Sequence, residues 1–576
     1  MRSLWLSVLV LACCGGQEGG ENDEGPRGVS ANEAQIPEPT GLYFVDGTVG
    51  SGLGAFQQRS GSADKHLIHE SFGAGVALVD LNGDGHLDVY LTNGGLEQGS
   101  PESVANALFL GDGLGHFTEV PGAGGAADSL WSYGVTAADF DGDSDLDLYV
   151  TNRGPNRLYR NDGSGNFVDV AASAGVAVED WSTGSAFFDH DRDGDLDLYV
   201  VNHIDFDAQS VHEQGLRMKY FTEDVYYGPL GLDGVADRLF ENQGDGTFVD
   251  VSESSGIGAV ALFGFQVVSF DYNLDGWPDL YVANDSNPNL LWRNQQDGTY
   301  ENVAAKLGVE FSVTGDSQAG MGVAVGDYDG DLRTDLFVTN FSEDYFNLYR
   351  LTERGMFRDV AAKAQLHQAT MPLLGWSCFF EDFDADGDLD LFAANGHVFP
   401  QVDALGRAET TYLQRNSLFE NTADGRFGVP DGAGGPGLAI ETASRGAAVG
   451  DVDGDGDLDL LVGNLDGPPS LLLNQGARQG CHLFVNLVGE APNTRAMGAR
   501  VIARVGESQM LRLCGTQSGF LSSGPTTMHW GLGKSAHVDE LEVTWPDGTQ
   551  EVFAQVAAGR ITLTQGSGLT RTDGRD

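Results

Sequence analysis

Nine-residue runs rich in aspartate recur along this chain, and the run from Asp451 to Asp459, DVDGDGDLD, shows the pattern most plainly. Asp451, Asp453 and Asp455 alternate with small residues, Gly456 follows, and Asp459 closes the run. Carboxylates this dense repel one another and resist burial unless a cation sits among them. Calcium suits such a set, because it takes about six to eight hard oxygens in a flexible geometry. Side chains at positions 1, 3 and 5, the backbone carbonyl at 7 and the carboxylate at 9 would supply most of that shell. Glycine at position 6 lets the backbone turn between them. An EF-hand would close with Glu at position 12 and carry a helix on either side. Here Asp459 runs into LLVGN, which reads as a strand. The expectation is a calcium loop joining two strands.

The run occurs seven times, giving up to seven calcium sites. The candidate ligands of the first are Asp80, Asn82, Asp84, His86 and Asp88, and of the second Asp139, Asp141, Asp143, Asp145 and Asp147. The third offers Asp189, Asp191, Asp193, Asp195 and Asp197, and the fourth Asp271, Asn273, Asp275, Trp277 and Asp279. The fifth offers Asp327, Asp329, Asp331, Arg333 and Asp335, and the sixth Asp382, Asp384, Asp386, Asp388 and Asp390. Asp451, Asp453, Asp455, Asp457 and Asp459 form the seventh. Position 7 counts for its carbonyl, so His86, Trp277 and Arg333 belong to the pattern. Ser144 and Leu332 replace the loop glycine of the second and fifth runs, and Asn82 and Asn273 lower the charge of the first and fourth. The bulky Leu332 makes the fifth site the weakest.

The elements that position these loops repeat with them. Start-to-start spacings are 59, 50, 82, 56, 55 and 69 residues. A small apolar run precedes each loop, a β-rich run such as DLYVTN or DLFVTN follows it, and hairpin-like segments such as NRLYRNDGSGNF come next. About four short strands in each unit of roughly 50 residues predict a propeller blade. Solenoid repeats of the nonapeptide kind have a much shorter period. The expected fold class is therefore all-β: a seven-bladed β-propeller over residues 41–478, then a small C-terminal β domain over 479–566. Tyr43 to Leu53 resembles a fourth strand element without a unit before it, and the seventh unit stops at Gly476 without its own. One end can thus complete the blade begun by the other and remove the open edge.

Net charge is -54, with 85 acidic and 31 basic residues; 30 of the acids lie in the seven loops. Seven calcium ions would bring -54 to about -40. Such an excess argues against nucleic acid and against electrostatic docking to anionic lipid. Residues 1–13 read as an export signal: a charged start, then the apolar LWLSVLVLACC, too short to span a bilayer stably. Val10 to Cys13, VLAC, resembles a bacterial lipobox, in which Cys13 would be lipidated; Leu at its second position leaves ordinary signal cleavage open. Residues 14–40 read as a disordered tether. The expected location is the outer membrane or cell surface as a lipoprotein, or secreted, with the membrane reached only through the lipid anchor.

After Gly476 the aspartate runs stop, and CHLFVNLVG, GARVIARVG, QMLRLCG, ELEVTWPDG and TQEVFAQV read as short alternating strands. Residues 567–576 read as a flexible tail. Cys378 reads as a buried small hydrophobe, and spacing leaves a Cys481–Cys514 disulfide open. The repeats resemble the FG-GAP/VCBS class also seen in integrin α-subunits. The segments GARVIARV, SGFLSSGPTTMHWGLG and VDELEVTWPDGTQEV resemble the ASPIC/UnbV domain. Together they resemble the cartilage acidic protein and UnbV group, whose bacterial members are exported. That resemblance implies extracellular calcium binding and adhesion-like interaction with a protein or glycan partner.

Twelve histidines show no HExxH spacing, and no Ser or Cys nucleophile motif appears, so no catalytic constellation is identified. His203 and His397 follow the second-strand runs of their units and are the two weighed for acid-base or metal work. A calcium-dependent carbohydrate-active, lyase-like enzyme is the alternative reading, and a structural matrix protein another. Blade geometry puts connections after the second strand on the face opposite the calcium loops. The two long ones, His203 to Ala236 and Gly396 to Arg415, carry Tyr220, Phe221, Tyr226, Tyr227 and Tyr412. With His203 and His397 these form the candidate ligand surface.

Overall fold

The computed structural model describes residues 41–96, 104–407, 410–422, 424–476, 480–515 and 519–571. It is all-β, built from repeated antiparallel sheets of four strands. The second repeat shows the pattern: Trp131–Ala138, Asp147–Arg153, Arg157–Asn161 and Phe167–Asp169 form one meander. Seven such sheets lie between residues 44 and 474, and each aspartate run joins the first strand to the second. Second strands such as Asp197–Asn202 (DLYVVN) and Asp335–Asn340 (DLFVTN) are buried at every residue, and Asp147–Arg153 at all but its last. Strands buried on both faces read as unbroken apolar runs, and neighbouring sheets supply the second cover.

Phe44–Asp46 pairs antiparallel with Ser470–Asn474, Phe44 opposite Asn474. A segment from the start of the chain thus serves as fourth strand of the last sheet. First strands of successive sheets pack side by side, and Ser444–Gly450 of the last lies against Val76–Val79 of the first.

A shared geometry joins loop to sheet. The position-9 aspartate begins the second strand and is buried in every copy. Its Oδ1 accepts the amide of a third-strand residue, from Gly111 on Asp88 (2.9 Å) through Asn161 on Asp147 (2.8 Å) to Asn474 on Asp459 (2.9 Å). The asparagine ending the third strand reaches the neighbouring sheet: Asn161, Asn242, Asn294, Asn421 and Asn474 donate to Leu81, Phe140, His190, Tyr328 and Phe383 carbonyls. Leu351 takes that place in the fifth sheet.

The C-terminal region forms two sheets. Met528–Gly531, His482–Val488, Gly559–Thr564 and Gly568–Arg571 make one; Ser508–Leu513, Arg500–Val505, His537–Thr544 and Gln550–Ala557 the other. Leu483, Val501, Trp530, Leu541, Trp545 and Leu563 fill the core between them. The tail expected to be flexible from residue 567 is a paired strand as far as Arg571, because Gly568–Arg571 completes the edge of Gly559–Thr564. Cys378, Cys481 and Cys514 are free thiols; Cys514 is buried against the Arg495 and Thr526 carbonyls. Cys13 and the export segment lie outside the described residues. Among those described, no helix is long and apolar enough to cross a membrane.

Candidate metal centres

Within each loop the position-1 carboxylate organises the turn. Its Oδ2 accepts the position-6 amide in all seven, from Gly85 on Asp80 (2.9 Å) to Gly456 on Asp451 (3.0 Å). Position 6 has positive φ, as its usual glycine allows; Ser144 at 79° and Leu332 at 64° adopt it with a side chain. The remaining carboxylates converge. One oxygen each of Asp139, Asp141 and Asp147 lie within 4.8 Å of one another, as do those of Asp189, Asp191 and Asp193, and of Asp382, Asp384 and Asp386. Asp189 Oδ1, Asp279 Oδ2, Asp388 Oδ1 and both oxygens of Asp457 are buried without a hydrogen-bond donor. Buried, unpartnered carboxylate oxygens crowded within a few ångströms fit a hard cation.

The electrostatics agree. Burial, opposed by the Asn161 amide, raises Asp147 to about 8, and Asp279 likewise reaches about 8. Position 7 contributes more than the carbonyl expected of it. The Asp195, Asp388 and Asp457 side chains turn into their loops, where burial and then the position-5 carboxylate raise them to about 7, 8 and 9. His86 stays exposed, and Trp277 stacks its ring 5.7 Å from the Arg192 guanidinium.

The fifth loop differs. Arg350 pairs with Asp329 and Asp331, and Arg333 pairs with Asp331. Guanidinium groups there hold Asp331 and one oxygen of Asp329, while Asp329 Oδ1 and Asp335 Oδ2 stay buried without a donor and one oxygen each of Asp327, Asp329 and Asp335 lie within 4.8 Å of one another. Arg350 on the third strand thus places a competing cation beside this loop, in addition to the bulky Leu332 within it.

The C-terminal domain lies on the loop face. Thr494 donates to Asp139, Arg495 to the Ser144 carbonyl (2.7 Å), Arg500 to the Leu332 carbonyl (2.9 Å) and the Gly531 amide to Asp382 (2.9 Å). Arg560 pairs with Asp451. From the same domain Phe520 and Leu521 push between the first strands. Ser523 exchanges hydrogen bonds with Val76 and Leu78 (both 2.9 Å), and Val135 donates to the Leu521 carbonyl. Phe520 is fully buried, its ring 4.9 Å from Trp376 and 5.5 Å from Phe265. Gly519 is required there, because a Cβ would fall 1.5 Å from Ser377 Oγ. Nothing in the spacing of SGFLSSG marks it as an inserted segment.

The two long connections emerge at the opposite strand ends, and there the expected surface needs correction. Tyr226 is 3% exposed and packs on Phe399 at 4.8 Å; His203 and His397 are fully buried. His203 stacks on Phe265 and His397 takes the Phe399 amide on Nδ1, so Nε2 carries the proton toward Ser342 Oγ. Burial pushes both imidazoles down to about 3. Tyr220, Tyr227 and Tyr412 are half-buried, and Phe221 alone of the seven is exposed, at 50%. The insertions close over the space between the first strands because their aromatics have more apolar area to bury inward than outward. Beneath them Arg445 is fully buried, its guanidinium 4.2 Å over Trp376 and donating to the Ser71, Gly396, Ser444 and His397 carbonyls.

The FG-GAP-like repeat model matches residues 80–150, 139–200, 222–282, 271–338 and 327–393, which take in the first six loops. The ASPIC and UnbV model matches residues 489–570. The chain belongs to the FG-GAP-like repeat proteins that carry an ASPIC and UnbV domain. It is similar to cartilage acidic protein 1 of Xenopus tropicalis, 31% identical over 295 residues, and to that of Homo sapiens, 30% identical over 292. Each match covers 49% of this chain and 41% or 40% of the relative, so the similarity spans less than half of those proteins. Among solved structures, the BP39L lectin from Burkholderia pseudomallei aligns with a TM-score of 0.42 at 10% identity, over 70% of this chain and 96% of the lectin.

Proposed function

We propose that this protein is an exported, calcium-stiffened binding module whose working face lies opposite its metal loops. On this reading the seven sheets are the blades of a closed propeller. The pairing of Phe44–Asp46 with the last sheet and the contact of that sheet's first strand with Val76–Val79 support closure. Calcium would be held by carboxylates at positions 1, 3, 5 and 9, with the Asp195, Asp388 and Asp457 side chains added in the third, sixth and seventh loops. Arg350 and Arg333 compete with calcium in the fifth loop and make it the weakest site, although Asp327, Asp329 and Asp335 still converge there. Export follows the reading of residues 1–13, with Cys13 as the lipidated residue.

One observation carries the placement of the face. The C-terminal domain covers the loop side, so the metal loops are joined to their own domain, while the two insertions shape the side left open. Exposed Phe221 and Leu230, 50% and 58% accessible, mark its rim. A protein or glycan partner is the class of ligand that such a face serves. Protein and glycan arrays probed with and without calcium test the reading. Binding that needs calcium, and that Phe221→Ala with Leu230→Ala removes at an unchanged melting temperature, is expected. Binding indifferent to both changes overturns it.

A further inference from the structure

The insertion face holds a pocket of about 220 Å³ between the hairpin Arg217–Tyr220/Glu223–Tyr226 and the ends of the fourth to sixth sheets. Its walls are aromatic: Tyr220, Tyr226, Phe341, Phe399 and Trp376. Tyr220 lies 5.2 Å from Phe399 and 5.9 Å from Phe341, so the rings form a corner rather than a flat wall. Two carboxylates, Asp285 and Asp344, are the charged side chains lining it. Their hydrogen-bond donors are neutral: Ser286 Oγ reaches Asp285 Oδ1 at 2.8 Å, and the Ala319 amide serves Asp344. Burial is the main cause that raises both to about 6, with the charge on Asp344 also acting on Asp285. Two arginines lie near its walls: the Arg445 guanidinium is committed to four backbone carbonyls, and Arg407, which acts on Tyr220, pairs with Glu343.

Apolar ring faces attract cations through their quadrupole, and desolvated carboxylates add to that attraction. The two acids repel an anion. We propose that this pocket binds a small free alkylammonium ligand, its charged head against Asp285 and Asp344 and its apolar body against Tyr220, Tyr226 and Phe399. Leu230 lines this pocket as well as marking the partner face, so the two sites adjoin, but this one stands or falls without the metal loops.

The probe pair is choline and its uncharged isostere 3,3-dimethylbutan-1-ol, titrated by calorimetry into the calcium-loaded full chain. Choline is expected to bind at least about tenfold more tightly than the isostere, a preference that cation–π and charge contacts supply. Asp344→Asn, at a half-exposed position, should bring the two within about threefold at an unchanged melting temperature. Asp285→Asn should do the same, and Asp344→Asn alone decides the matter should that variant not fold. Equal binding of both probes, binding of neither, or a preference untouched by Asp344→Asn overturns the proposal. Binding of a methyl glycoside in place of choline overturns it in favour of a sugar pocket. Absence of any partner on the arrays, with choline binding intact, would sink the partner reading and leave this one standing.

Discussion

Stripping the metal should make stability fall as pH rises, and refilling the loops at pH 7 should release protons. The closing carboxyls of the second and fourth loops sit at about 8 and that of the first at about 7, against an ordinary 3.8, with burial as the main cause. An acid whose folded pKa is raised holds its proton more tightly in the folded chain. Its favourable effect is complete below about pH 4 and is lost as pH climbs toward 8, the window in which the unfolded chain is already ionised. For the fully buried Asp147, stability falls by about 1.4 kcal/mol for each pH unit crossed, on the order of 5 kcal/mol over the whole window. Calcium binds the ionised form and so displaces the proton. At pH 7 a group at about 8 is roughly nine-tenths protonated, which gives on the order of one proton released per such loop. Calorimetric calcium titrations in two buffers of unlike ionisation enthalpy measure the release, and melting curves in chelator at pH 5.5 and 8 measure the slope. Heats identical in both buffers, together with a metal-free protein that melts higher at pH 8, would refute the argument.

Three other outcomes follow from the packing. Phe520→Ala removes a fully buried ring that anchors the C-terminal domain between the first strands, and should cost about 3–5 kcal/mol while opening residues 480–571 to protease; a loss under about 1 kcal/mol would show that the segment is not an anchor. Tyr226→Ala should destabilise by about 3 kcal/mol in chemical denaturation, whereas Tyr227→Ala, half-buried beside it, should cost under about 1 kcal/mol. Asp455→Asn should lower the number of calcium ions counted by native mass spectrometry by one, and Asp331→Asn should leave it unchanged, since Arg350 and Arg333 already hold that carboxylate. A drop with both variants would show that the arginines yield to the metal.

Much of this molecule is written in local chemistry. Alternating aspartates, a glycine at position 6 and an apolar run after Asp459 are set by what a cation, a positive φ and a buried strand each demand. Those demands act within nine residues, so loop, strand and repeat are legible from the chain alone, as is the fourth strand that Phe44–Asp46 lends to the last sheet. The composition of the C-terminal strands likewise marks a second β region.

Tertiary structure decided the rest, for a common reason: it depends on which distant side chains meet. Arg350 is an ordinary third-strand residue until the fold brings it to Asp329 and Asp331. SGFLSSG carries no periodic pattern, and only the gap between the first strands gives Phe520 a place to be buried. Tyr226, His203 and His397 read as exposed because they lie on long connections, yet burying aromatic area over that gap outweighs leaving it in water. Position 7 could be credited in sequence only with its carbonyl. Whether an aspartate there turns inward, as Asp457 does, is settled by the crowding of its loop.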